Sequence, residues 1–123
     1  MSQFEKTVRL WSEKAIANLE TIAIESTKTV ARIAQDRAPE ETGVLKDSLH
    51  VYVNGGLVGQ GRAAYQTAVN NLTLGDTVMV TWEADHARIV EYGGNNRKGH
   101  FFVRGAAVQW DAVVAEAIRR AAE

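Results

Sequence analysis

Two clusters in this sequence hold residue types that do chemistry. The first is Asp47, Ser48 and His50, the parts of a relay in which an imidazole takes a hydroxyl proton and a carboxylate orients the ring. Neighbours on a strand point to opposite faces, so this spacing does not assemble a relay. Ser48 and the nearby Thr42 suit a turn or a cap, where a hydroxyl bonds to backbone. The second cluster, Asp85, His86 and Glu91, offers oxygen and nitrogen donors of the kind that hold a divalent cation. Its members are adjacent or nearly so, and the scattered His50, His86 and His100 form no His-x-x-x-His pair, so no metal site is expected. The absence of cysteine removes thiolate nucleophiles, cysteine zinc sites and disulfides together. No Gly-x-Ser-x-Gly elbow or Walker loop is present, and Gly55-Gly56 with Gly59-x-Gly61 is too sparse for a phosphate cradle. No catalytic, metal or cofactor residue is expected.

Charge points elsewhere. A formal net charge of -1 argues against a dedicated nucleic-acid binder, which carries a basic surplus. Locally, residues 93–105 hold Arg97, Lys98 and Arg104 with no acid, beside an acidic stretch containing Glu83, Asp85 and Glu91 against Arg88. Docking on an acidic partner is the favoured use of that basic loop, with a solvated loop or contact to nucleic acid as the alternatives. Phe101-Phe102 follows it, one ring expected to anchor the last helix and the other to stay free. Tyr92 reads as a packing residue rather than a functional phenol.

The elements that must position these residues begin with a helix. Phe4, Val8, Trp11, Ala15, Leu19, Ile22, Val30 and Ile33 recur in steps of three and four with Ser26 in the gap, one stripe of an amphipathic helix ending at Pro39. At 1.5 Å per residue it is roughly 50 Å long, whereas a compact domain of this length has a radius of gyration of about 14 Å. Either the helix breaks near Ser26-Thr27-Lys28-Thr29-Val30, or another subunit covers its overhanging stripe, with Trp11 as the bulkiest anchor. The second outcome is favoured. Residues 49–54 and 77–83 alternate as strands, Asn54-Gly55-Gly56 marks a reversal, and residues 57–74 suit either a short helix or an irregular strand. The expectation is one α+β domain over residues 1–123: a long helix to 38, a β-rich middle over 39–92 with a small antiparallel sheet and a short helical turn, an open loop over 93–101 and a C-terminal helix over 102–123. No signal peptide and no membrane span is read, so synthesis in the cytoplasm is expected.

Three segments together resemble a known family. Pro39-Glu40-Glu41-Thr42-Gly43-Val44-Leu45-Lys46-Asp47-Ser48-Leu49 resembles the A-P-x-D-T-G-x-L-x-x-S-I segment of tailed-phage tail-completion, or head–tail joining, proteins. Val90-Glu91-Tyr92-Gly93 resembles their V-E-Y/F-G segment, and Phe102-Val103-Arg104-Gly105-Ala106 their P-F-L-R-P-A start of the last helix. Glu41 stands for the usual aspartate, His86 for a common tyrosine and Gly105 for a second proline; Gly105 is expected to weaken the last helix and loosen loop 93–105.

The resemblance implies a non-enzymatic virion component, present in host cytoplasm during assembly. It implies a ring of identical subunits, generally a hexamer, at the head-proximal end of the tail, joining tail tube protein to head connector or stopper protein. DNA passes through such a ring without specific binding, and no membrane is involved. Pro39, Thr42, Gly43, Leu45, Ser48, Val90, Glu91, Tyr92 and Gly93 are then structural motif residues. Trp11, Arg97, Lys98, Phe101, Phe102 and Arg104 are interface candidates, Glu40 and Glu41 lumen candidates, and strand edges at 49–54 or 77–83 are available to pair across subunits. The competing readings are a head-completion stopper, a small nucleic-acid-binding accessory protein and a small hydrolase.

Overall fold

The computed structural model describes residues 2–39, 43–94 and 97–121, with only the backbone of Arg97. Glu40, Glu41 and Thr42 therefore lie outside the described residues. Helix α1 (Gln3–Arg37) starts at Ser2, whose hydroxyl accepts from the Glu5 amide at 3.1 Å, and runs unbroken through residues 26–30. Of the hydroxyl residues that weaken helix propensity there, Thr29 is absorbed by the helix: its Oγ1 donates to the Glu25 carbonyl at 2.8 Å. Ala38 turns extended (ψ 132°) ahead of Pro39, and its amide still reaches the Ala34 and Gln35 carbonyls.

Gly43 (φ 80°) opens the one-turn helix α2 (Val44–Asp47), which feeds β1 (Leu49–Val53). Asn54 and Gly55 take positive φ (52° and 86°), the backbone of a tight hairpin, and return the chain as β2 (Gly56–Gln60). β3 (Val78–Trp82) pairs antiparallel on the other side, giving the order β2-β1-β3 with β1 in the middle. Between β2 and β3 the segment without a clear period forms a short 3-10 turn (Ala64–Gln66) and further turns, and it buries Tyr65, Val69 and Leu72. Helix α3 (Ala87–Tyr92) follows.

Two expectations are corrected here. The described residues of 93–101 do not form an open loop: β4 (Gly93–Gly94) pairs with β5 (Arg97–Lys98), and the His100 and Phe101 amides bond to the Val90 and Glu91 carbonyls at 2.7 and 3.0 Å. The C-terminal helix is two helices, α4 (Phe102–Ala107) and α5 (Trp110–Ala121). Their joint has a local cause. The Gln109 amide bonds back to Ala106, and its side-chain amide takes the Gly105 carbonyl that a regular helix would give to the backbone.

The core has two parts that meet at Trp82. In one, Ala31 of α1 packs with Leu49, Val51, Tyr65, Val69 and Leu72. In the other, Ala34 and Ala38 pack with Leu45, Phe102 and Ala106. The small residues of α1 leave room for Trp82 and Phe102, whose rings meet edge-on at 5.2 Å. α5 lies antiparallel along α1, because Trp110 shares a cleft with Thr27, Val30 and Ala34 while Ala117, Arg120 and Ala121 lie beside Thr21, Ile22 and Glu25. Toward its N-terminus α1 goes on with its apolar stripe bare, Phe4 78% and Trp11 71% exposed.

Candidate assembly surfaces

The first motif segment clamps the end of α1 to the sheet. Gln35, buried on α1, donates to the Lys46 and Arg62 carbonyls at 3.0 and 2.7 Å and accepts from Trp82 Nε1 at 3.0 Å. Arg62 Nε reaches Asp47 Oδ1 at 2.9 Å, while a Cβ on Gly43 would come within 2.7 Å of the same guanidinium. Leu45 is core and Pro39 half-buried. Ser48 Oγ donates to the Leu45 carbonyl at 2.6 Å, a turn bond that with the Asp47–Arg62 pair leaves no relay among Asp47, Ser48 and His50.

In the second motif, Glu91 is buried and its two carboxylate oxygens accept from the amides of Val103 (3.1 Å) and Arg104 (2.9 Å). The first turn of α4 thus takes its cap from a residue on α3. Glu91 is turned away from the exposed Asp85 and His86, and among the described residues no group of three His, Cys, Asp or Glu could hold a metal ion. Val90 is half-buried against the second core, and Gly93 starts β4. Tyr92 is not a packing residue. It is 63% exposed, because the last turn of α3 aims it away from the side occupied by Val90 and Glu91.

In the third motif, Phe102 is 1% exposed, so this interface candidate belongs to the core. Phe101 is the free ring, with the Arg104 guanidinium 6.0 Å above it, and Lys98 is exposed. Gly105 sits under the Arg37 guanidinium, the mobile end of that side chain.

The sheet's outer face carries one polar cluster. Glu83 Oε2 accepts from Tyr52 Oη (2.6 Å) and Thr81 Oγ1 (2.8 Å), with His50 Nδ1 at 3.4 Å. The Tyr52 bond holds the Glu83 carboxyl below the usual carboxylate range and, with a smaller contribution from desolvation, raises the Tyr52 phenol. Asp76 is lowered by the Thr73 amide and the Asn54 side chain, which lock the turn before β3.

Because β1 is central, edge 49–54 is occupied on both sides; the sheet's outer strands are β2 and β3. An apolar cleft of about 240 Å³ lies between α1, β3, α4 and α5, lined by Val30, Val80, Trp82, Val103, Ala107 and Trp110 among others. Sequence periodicity found the stripe of α1 but missed this cleft and Gln35, since both depend on packing between distant segments. A glutamine among alanines on a helix face was the only available signal for Gln35.

The motif residues tie elements of the fold together, and apolar surface is left bare at one end of α1. Residues 2–93 match the family model described as "Bacteriophage HK97-gp10, putative tail-component". The chain belongs to this family of phage tail components, and its role is a structural one in the virion. The match includes the first two motif segments; Phe102 to Ala106 lies beyond it. No curated protein and no solved structure matches the chain.

Proposed function

We propose that this chain forms a ring at the head-proximal end of the phage tail and joins the tail tube protein to the head connector. The family match supports a place in the tail. The bare apolar stripe of α1 supports the step to an oligomer, since Phe4 and Trp11 stand exposed along one helix and exposed apolar patches mark interaction surfaces. The formal charge of -1 suits a conduit through which DNA must slide without being held. Exposed Tyr92, Phe101, Lys98 and Arg104 are the surface for neighbouring virion proteins, and the basic loop meets an acidic one. In this reading Glu40 and Glu41 face the lumen.

Native mass spectrometry of the purified chain, alone and with assembled tail tubes, tests the proposal. A closed oligomer of defined number, formed alone or on the tube end, is expected. A chain that stays monomeric and does not bind tubes contradicts it.

A further inference from the structure

The last two helices are held very differently. α4 is fixed, with Phe102 and Ala106 buried and the amides of its first turn bonded to Glu91. α5 rests along α1 and has no buried residue: Val113, Val114 and Ala117 are half-buried, and Trp110 and Ile118 are exposed. The joint between them touches little, since Val108 and Gln109 are exposed and Gln109 breaks the helical hydrogen-bond register. We propose that α5 is a detachable strap, which lifts off α1 as a unit about the joint at Val108 and Gln109 while α4 and the sheet stay in place. Its lifting extends the bare stripe of α1 from Leu19 on through Ile22, Ser26 and Val30. This goes beyond the ring reading and does not depend on it.

The seat of α5 on α1 is imperfect at both ends and in the middle. At one end Trp110 borders the open apolar cleft, together with Thr27 and Val30 of α1. At the other, Ala117, Arg120 and Ala121 leave a hollow of about 160 Å³ against Thr21, Ile22 and Glu25. Atoms that line an opening lack the contacts a packed neighbour would supply, so each opening weakens the seat. Between the two lies Ser26, one helical turn from Ile22 and one from Val30 on the same side of α1. It is fully buried and its hydroxyl has no partner among the described residues, a desolvation cost that ends when α5 lifts and water enters. The ion pairs of Glu116 with Arg119 and Arg120 lie within α5, so they do not tie it to α1. A helix of 12 residues is marginal without packing, so a lifted α5 opens its own hydrogen bonds and its amides exchange with solvent.

Native-state hydrogen exchange of the whole chain, read amide by amide by NMR, is the test. The amides of residues 114–118 are expected to share one level of protection, ~100-fold or more below that of β1. The Gly105 amide of α4, bonded to the Phe101 carbonyl, should stay protected with the core. Protection of α5 equal to that of β1 overturns the proposal. So does protection that falls steadily from Val113 to Ala121, which is the fraying of a chain end rather than the lifting of a unit. In Ser26→Ala the exchange of α5 should slow about fivefold, because α5 is what keeps that hydroxyl from water. Exchange of α5 left unchanged by this substitution means that α5 does not cover Ser26, and the strap is then contradicted.

Discussion

At the scale of single residues, Glu91 shows how a motif acidic residue acts without catalysing anything. Its two oxygens accept from the Val103 and Arg104 amides in the first turn of α4, across twelve and thirteen residues of sequence. Charge-assisted bonds of this kind contribute ~1.5–3 kcal/mol, so Glu91→Ala should lower the urea unfolding free energy by about that much and Glu91→Gln by roughly half. Ser26 points the other way. It is 0% exposed and its hydroxyl has no partner among the described residues, so Ser26→Ala should raise stability by about 1 kcal/mol in the same measurement. A third residue gives a pH signature. Arg119, by hydrogen bond and charge, and then Arg120 hold Glu116 on α5 from its ordinary 4.5 down to about 2. A carboxyl lowered on folding contributes stability above its unfolded value, and that contribution is lost as pH falls from about 4.5 toward 2. The pairs are exposed and screened by solvent, so the effect is small: Glu116→Gln should slightly flatten the acid side of a stability–pH curve from urea unfolding, and salt should shrink the difference. Of these roles the sequence revealed only residue identity. Glu91 carried an acid's signal and a family motif, but its partners are backbone amides, which leave no trace in side-chain spacing.

At the scale of elements, what was legible followed local periodicity. The α1 stripe, the alternation of β1 and β3 and the Asn54-Gly55 hairpin all appear as expected. Residues 57–74 were not legible because Tyr65, Val69 and Leu72 are ordered by burial against α1 and β1 rather than by a repeat. The joint at 108–109 was hidden for another reason: Val108 keeps helical angles (φ -66°, ψ -13°), and only the hydrogen-bond register of Gln109 changes. The stretch after β5 was read as open loop, yet it is held hard against α3. A Cβ on Gly99 would lie 2.6 Å from the Glu91 carbonyl oxygen and 2.7 Å from the Tyr92 backbone carbon, with no flexible side chain to yield. Gly99→Ala should therefore cost ~1–3 kcal/mol, seen as a lower midpoint in thermal or urea unfolding.

At the scale of the whole molecule, the fold concentrates its core at one end of α1 and leaves the other end bare. Among the described residues no helix is long and apolar enough to cross a membrane, so that stripe is not a span. The same bare stripe was legible in the sequence as a helix too long for its globule, whereas the cleft between α1, β3, α4 and α5 required the structure. The central claim, a ring at the head-proximal end of the tail, is tested most directly by imaging particles from a phage lacking this chain. Full heads beside tails that are unjoined or of abnormal length are the expected result. Normal virions would contradict it.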